Sequence, residues 1–220
     1  MSSGHRLLVR AGGLRKSYRR GAESVHALRG VGLELHEGEL VALVGPSGSG
    51  KSTLLNVLAG WERPDAGGVA WAGGDPGPGG PPWATLALVP QTFGLLEELS
   101  VRENVELPLR LAGVAAAERG RRAGEALQAF GIDALADRTP GDGSLGEQQR
   151  TALARALVAA PRLLLCDEPT GHQDAAWAKH VFQALLEATR QGGACLVATH
   201  SEQAVHFADR VLGLRDGQLR

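Results

Sequence analysis

The stretch LVALVGPSGSGKST, residues 40–53, joins an apolar run to a glycine-rich loop and then to a helical pattern. Its first five residues are all apolar, which is typical of a strand that is covered on both faces. Gly45 and Gly50 have four residues between them and are followed by Lys51 and Ser52, which is the pattern of a phosphate-binding loop. A purely structural glycine turn ahead of a helix is the weaker alternative.

This phosphate loop, residues 45–52, has a definite chemistry. Glycines let backbone N–H groups turn inward around phosphate oxygens, and the start of the following helix adds a favourable dipole. We expect Lys51 to reach the β- and γ-phosphates of a nucleotide and Ser52 to ligate Mg²⁺. The residues predicted to hold the nucleotide here are Gly45, Pro46, Ser47, Gly48, Ser49, Gly50, Lys51, Ser52 and Thr53.

A second apolar run, residues 163–166, ends in two carboxylates, Asp167 and Glu168. Two acidic groups at the end of a buried strand are costly unless a cation lies nearby, and Mg²⁺ supplies that charge. We therefore expect Asp167 to contact Mg²⁺ directly or through its hydration shell, and Glu168 to be the base that polarises the attacking water. A solvated acidic turn is the alternative.

A third apolar run ends at Thr199 and His200. Parallel sheets present their active sites at the carboxyl ends of their strands. A lone histidine at such a place is more often a capping or core residue. Because the phosphate loop and the acidic pair are also present, we favour a role for His200 as a donor to the γ-phosphate.

The remaining pattern predicts an α/β fold. Val31, Leu33 and Leu35 alternate with other residues, as in a half-buried strand, so the N-terminal part is predicted to be antiparallel sheet. Alternating helices and strands further on predict a parallel sheet with crossover helices. The predicted segments are a surface loop at 73–82, helices within 101–136, a helix at 148–159, a strand at 163–166, a helix at 175–191 and a strand at 194–198.

Composition narrows the class of protein. The chain has 220 residues, of which 43% are hydrophobic and 21% charged, so we expect one folded domain over residues 1–220. A net charge of -1 does not provide the basic surface that nucleic acid requires. The apolar runs are too short to cross a bilayer, and the N-terminus lacks a signal-peptide pattern, so a cytoplasmic location is expected. Cys166 and Cys195 lie in apolar runs and are predicted to be core residues rather than metal ligands or disulfide partners.

Taken in order, these motifs together with Gln91, the segment 143–150 and Asp174 resemble the nucleotide-binding domain of ABC ATPases over nearly the whole chain. The resemblance implies a P-loop NTPase (RecA-like) core with an N-terminal antiparallel β subdomain and an inserted α-helical subdomain at about 95–160. It implies ATP and Mg²⁺ as cofactors, and hydrolysis that energises transport, with export favoured, through separate membrane-spanning permease subunits. The chain would then lie at the cytoplasmic face of the membrane.

Further residue roles follow from the resemblance alone. It implies that Tyr18 stacks on adenine, although by sequence Tyr18 is equally well a packed strand residue. It implies that Gln91 contacts Mg²⁺ and the attacking water. It also implies that two ATP-binding subunits, identical or different, pair head to tail. In such a pair the signature loop of one subunit closes over the nucleotide of the other, and Ser144 and Gly146 give a hydroxyl and a backbone N–H to its γ-phosphate. Glu147 and Asp174 are also expected to contact the nucleotide.

The chain departs from the family pattern at several places. The usual signature is Leu-Ser-Gly-Gly, but here the four positions are Gly143, Ser144, Leu145 and Gly146. If Leu145 requires a left-handed backbone, strain of about 1–2 kcal/mol follows, and we expect slow or asymmetric hydrolysis. Gln173 stands where the family usually has leucine. Residues 91–109 look most like the lipoprotein-release and macrolide-export branch, although the stretch from 51 to 91 looks short for that branch.

Three functions are compatible with these observations. An energy-supplying transporter subunit fits best. A non-transport ABC ATPase of repair or translation usually carries a coiled-coil insertion or a second nucleotide-binding domain, and neither is visible in this sequence. A weakly active regulatory subunit would explain the altered signature, but Lys51, Glu168 and His200 argue against a full loss of turnover.

Overall fold

The computed structural model describes residues 6–21, 23–72 and 85–220, so the loop predicted at 73–82 lies outside the described residues. The strands are β1 (Leu7–Arg20), β2 (Glu23–His36), β3 (Leu40–Val44), β4 (Ala66–Trp71), β5 (Leu86–Val89), β6 (Leu163–Asp167), β7 (Ala194–Thr199), β8 (Arg210–Arg215) and β9 (Gln218–Leu219). The helices are α1 (Lys51–Leu58), α2 (Val101–Leu111), α3 (Ala116–Ala129), α4 (Leu145–Leu157), α5 (Ala175–Arg190) and α6 (Glu202–Phe207).

The larger sheet has the order β5-β6-β7-β3-β8-β9. Its first five strands are parallel and only β9 is antiparallel to its neighbour. This arrangement confirms the predicted parallel sheet. Since β3 and β6 flank β7, the carboxyl ends of all three strands meet at one edge.

The central strands read as continuous apolar runs because their two faces pack into two different cores. Leu40 and Ala42 of β3 belong to the core that includes residues of α2, α3, α4 and α5. Val41 and Leu43 belong to the core formed with α1 and the antiparallel sheet. Since successive side chains of a strand point to opposite faces, every position in these strands must be apolar.

The smaller sheet is antiparallel, with the order β2-β1-β4, as predicted for the N-terminal part. Val31, Leu33 and Leu35 are buried, in agreement with the alternation in the sequence. Strand β2 begins at Glu23, well before the alternating segment. The alternation did not reveal this start, because the first half of β2 is largely exposed and has no apolar pattern.

A helical part lies between β5 and β6. The stretch predicted as helical contains α2 and α3, which pack on each other and on α4. Helix α4 begins at Leu145, earlier than the start predicted at residue 148, because Ser144 and Glu147 form a capping box that closes its first turn. Within the described residues, all helices are too short or too polar to cross a bilayer.

Candidate functional site

A cleft of about 630 Å³ opens where the carboxyl ends of β3, β6 and β7 meet the start of α1. Motifs that are far apart in the sequence come together there. The residues that line the cleft are Tyr18, Val25, Ala27, Gly45, Ser47, Gly48, Gly50, Lys51, Ser52, Thr53, Gln91, Asp167, Glu168 and His200. The structure therefore gathers most of the predicted site residues around one opening.

The glycines of the phosphate loop are required for two different reasons. A Cβ at Gly45 would lie 2.1 Å from the carbonyl oxygen of Leu214, and a Cβ at Gly50 would lie 2.3 Å from that of Ala27. Gly48 has open space around it, but its φ of 78° is a left-handed conformation. Gly45 and Gly50 thus permit close packing of the loop, whereas Gly48 shapes the loop on its cleft side.

Lys51 is the cation of this cleft. It is buried, and its Nζ donates to the carbonyl oxygens of Gly45 at 2.8 Å and Pro46 at 3.2 Å. The lysine is therefore held inside the loop by main-chain acceptors that an anion can replace. Ser49 is also buried, and its hydroxyl has no hydrogen-bond partner in the structure.

Asp167 ends β6 beside the phosphate loop and is 7% exposed. Burial raises the pKa of its carboxyl, and the charge of Glu168 acts in the same direction. A hydrogen bond with Ser52 and the nearby Lys51 oppose this shift without cancelling it. The ionised carboxylate therefore lacks compensation, and a bound cation would supply it.

Glu168 has a constrained backbone and an engaged side chain. Its φ of 52° is a left-handed conformation, which a non-glycine residue adopts only at a cost. Its N–H donates to the carbonyl of Ala198 at 2.8 Å, and its own carbonyl accepts from Gln149 at 2.9 Å. Its carboxylate accepts from the Thr199 hydroxyl at 2.9 Å and lies 2.9 Å from Nδ1 of His200. These contacts fix the carboxylate at the edge of the cleft.

Tyr18 lies on β1 at the mouth of the cleft and is 37% exposed. Its hydroxyl donates to the Glu62 carboxylate, and Lys16 Nζ lies 5.5 Å from the centre of its ring. Burial and the contact with Glu62 raise the pKa of the hydroxyl. The ring is thus restrained but accessible, as stacking on a planar base requires.

The other predicted site residues lie apart from the cleft. Ser144 is the N-cap of α4 and exchanges hydrogen bonds with Glu147, while Gly146 lies in the first turn of that helix. Asp174 is the N-cap of α5, where its carboxylate accepts from the N–H of Trp177 at 2.9 Å. In the phosphate loop, Pro46 and Ser49 also do not line the cleft.

The strain expected at Leu145 does not occur. Leu145 is the first residue of α4 and has a helical backbone with a negative φ. Its side chain is 54% exposed, so it neither crowds the loop nor needs a left-handed conformation. The prediction of strain was wrong because the N-cap at Ser144 places the next residue inside the helix.

Two residues that hold Glu168 were not predicted as site residues, and neither were Val25 and Ala27, which line the cleft. Thr199 bonds the Glu168 carboxylate, and its position as a polar residue at the end of a fully buried strand could have indicated it. Gln149 is buried and holds the main chain of Glu168. It lies in the segment 143–150 that carries the resemblance, but no pattern there indicates this contact.

The residues of the cleft fit a triphosphate with Mg²⁺. Gly48 has open space around it, and the Lys51 ammonium is held by two loop carbonyls that phosphate oxygens can replace. Over residues 6–21, 23–72 and 85–220 no group of three or more His, Cys, Asp or Glu side chains is arranged to hold a metal ion. Mg²⁺ does not need one, because it usually retains waters and takes one or two protein oxygens plus phosphates. Ser52 and Asp167 provide such oxygens.

Comparisons with known proteins agree with this geometry. The profile of the ABC transporter family matches residues 28–171. The chain is 44% identical over 214 residues to a lipoprotein-releasing system ATP-binding protein, LolD 2, of Caulobacter vibrioides, covering 94% of each chain. It is 44% identical over 219 residues to LolD of Gluconobacter oxydans, covering 96% of this chain and 94% of that one. These relatives confirm the branch expected from residues 91–109.

Solved structures give the same result. A dimeric ATP-binding cassette in a post-hydrolysis state, bound to ADP and Pi, superposes with a TM-score of 0.87 at 32% identity, covering 97% of both chains. An ATP-binding subunit of an ABC transporter superposes with a TM-score of 0.84 at 28% identity, covering 96% of this chain and 88% of that one. The chain therefore belongs to the ABC transporter family, as an ATP-binding domain with the P-loop NTPase fold.

Proposed function

We propose that this chain is the MgATP-hydrolysing subunit of a lipoprotein-releasing transporter. The observation that carries the proposal is the convergence of Lys51, Asp167, Glu168 and His200 around one cleft at the end of a parallel sheet. The lipoprotein substrate is inferred from relatives of matching length that are named for lipoprotein release.

Each residue of the cleft has a distinct role in hydrolysis. The amides of the phosphate loop and Lys51 hold the β- and γ-phosphates, and Lys51 exchanges its loop carbonyls for phosphate oxygens. Ser52 and Asp167 would hold Mg²⁺, which would neutralise charge on the phosphates. Tyr18 stacks on the adenine ring, beside Thr53 in the wall of the cleft.

Glu168 orients and polarises the attacking water. Its carboxylate is held by Thr199 and His200, so its orientation is set before the nucleotide binds. Gln91 lines the same cleft, where it would contact Mg²⁺ and the water. His200 has an exposed ring that donates to the γ-phosphate as charge develops there.

A second ATP-binding subunit completes the site. Ser144, Gly146, Glu147 and Asp174 do not line the cleft of their own chain. A head-to-tail partner would bring its own copies of these residues to the nucleotide. The dimeric solved cassettes support this arrangement, and we propose a homodimer as the form to test first.

Separate permease subunits would convert closure of the dimer into release of the lipoprotein. The chain would lie at the cytoplasmic face of the membrane, where ATP is available, and would be attached through those subunits. The slow turnover expected from Leu145 has no support in the structure, because that residue has an ordinary helical backbone.

The test is reconstitution of the complex. The tagged chain is purified from detergent-solubilised membranes of its own cell, and the multi-spanning proteins that accompany it are identified. The complex is then placed in liposomes that carry a lipid-anchored protein, and its release is measured with and without MgATP. We expect release that requires ATP and is lost in Lys51→Ala. Hydrolysis without release of the anchored protein would contradict the lipoprotein assignment, but not the ATPase assignment.

A further inference from the structure

A polar network joins the first turn of α4 to the segment that follows β6. The side-chain nitrogen of Gln173 donates to the carbonyl oxygen of Gly146 at 2.8 Å and to Oε1 of Gln149 at 3.0 Å. The side-chain oxygen of Gln173 accepts from Arg150 at 3.2 Å. Gln173 therefore uses both ends of its amide on three residues of α4.

The network continues to the residue proposed as the base. Gln149 is buried, and its Nε2 donates to the carbonyl oxygen of Glu168 at 2.9 Å. Its Oε1 also accepts from the N–H of His172 at 3.2 Å. A continuous set of hydrogen bonds thus runs from Gly146 through Gln173 and Gln149 to the strained backbone of Glu168.

Close packing around these residues limits how far the hydrogen-bond network can move. A Cβ at Gly146 would lie 3.0 Å from the carbonyl oxygen of His172, so the two backbones nearly touch. Arg150 is held in turn, with its guanidinium 4.4 Å from the centre of the Trp177 ring. Leucine, the residue that resemblance places at position 173, has no donor for Gly146. The hydrogen bond from Gln173 to Gly146 therefore depends on the glutamine that this chain has at position 173.

We propose that Gln173 is a positioning residue that sets the place of the signature turn relative to Glu168. The inference rests on the proposed function. In a head-to-tail dimer, Glu168 acts on the nucleotide of its own chain, while Gly146 approaches the nucleotide of the partner. The hydrogen bond from Gln173 to Gly146 then links the geometry of one site to that of the other, within a single chain.

The donor character of Gln173 gives a distinctive test with two variants. Gln173→Glu keeps the size of the side chain and still accepts from Arg150, but it turns both donors into acceptors that face Gly146 and Gln149. Gln173→Met keeps most of the volume and removes the polar atoms. Gln183→Met changes an exposed glutamine of α5 and serves as the matched control.

Four quantities are measured for the full chain: melting temperature, affinity for MgATP, steady-state turnover, and MgATP-dependent dimerisation in the Glu168→Gln background. We expect turnover to fall about tenfold in Gln173→Glu and less in Gln173→Met, because a misplaced group costs rate while a lost neutral hydrogen bond costs less. Dimerisation should weaken in the same order. Affinity for MgATP should stay within about twofold of the parent, since Gln173 lies outside the cleft.

The outcomes separate the inference from the proposed function. Parent-like turnover and dimerisation in Gln173→Glu would overturn the inference alone, because packing or the Arg150 contact would then suffice. Equal loss of melting temperature and MgATP binding in both variants would also overturn it, since Gln173 would then be merely structural. A parent chain that binds no MgATP would overturn the proposed function and this inference together.

Discussion

Nδ1 of His200 lies 2.9 Å from the Glu168 carboxylate, and the two side chains differ greatly in exposure. The histidine side chain is 79% exposed, whereas that of Glu168 is 17% exposed. An accessible ring is thus connected to a confined carboxylate at the edge of the cleft. In the proposed mechanism this pair would join two functions that hydrolysis requires, contact with the γ-phosphate and orientation of water.

We expect His200→Ala to lower turnover by about 10²-fold, because it removes a donor to developing charge and a partner of the base. Affinity for MgATP should change little, since the loop amides and Lys51 remain. Steady-state phosphate release and equilibrium binding measure the two effects. His206→Ala, on the exposed face of α6, is the control. Parent-like turnover in His200→Ala would remove this residue from the mechanism.

The glycines of the phosphate loop should respond differently to alanine. Gly45→Ala should destabilise the fold by about 3 kcal/mol, because its Cβ would overlap the carbonyl of Leu214. Gly48→Ala should cost only about 1–2 kcal/mol of strain, since nothing lies within 4 Å, but it should weaken MgATP binding. Urea unfolding and nucleotide titration measure both quantities. Equal stability losses in the two variants would contradict this division.

Lys51→Ala should weaken MgATP binding by about tenfold or more, because one charge-assisted contact to phosphate is lost. Isothermal titration or a fluorescent nucleotide gives the affinity. Lys179→Ala removes a lysine of the same charge from an exposed position on α5 and should bind as the parent does. An unchanged affinity in Lys51→Ala would show that the loop does not hold the phosphates.

The cap of α4 should depend on pH. A hydrogen bond from the backbone N–H of Ser144, and a smaller contribution from its hydroxyl, lower the pKa of the Glu147 carboxyl below its usual value of 4.5. Since the folded-state pKa is the lower one, this contribution is complete above 4.5 and is lost as the pH falls through the folded-state value. Ser144→Ala keeps the N–H donor but removes the hydroxyl that caps the helix and bonds the carboxylate. It should therefore lower the free energy of unfolding by about 1 kcal/mol at pH 7 and by less at pH 3. Equal losses in urea unfolding at both pH values would contradict this linkage.

The sequence predicted the central sheet, and the polar residues that it places at the strand ends lie in one cleft, because both signals are local in the sequence. A run of apolar residues ending in a glycine loop or an acidic pair specifies both a buried strand and the chemistry at its end. The cleft formed by Lys51, Asp167, Glu168 and His200 then follows from the parallel arrangement of three strands.

Other features depend on contacts between distant residues and could not be predicted. Gln173 bonds Gly146 and Gln149, which are 27 and 24 positions away in the sequence. No hydrophobic periodicity in the sequence indicates that these residues form hydrogen bonds with each other. The condition for strain at Leu145, a left-handed backbone, is not met for a related reason, since the capping box of Ser144 and Glu147 places that residue inside the helix.

The central claim is that Glu168 activates water at a MgATP site shared by two subunits, and Glu168→Gln tests it most directly. Replacing the carboxylate with an amide keeps the shape of the side chain but removes the base. Size-exclusion chromatography with light scattering, combined with a phosphate-release assay, measures both consequences. We predict that the variant loses multiple turnover and forms a stable dimer in MgATP but not in ADP. A variant that hydrolyses ATP as fast as the parent and remains a monomer would contradict the account.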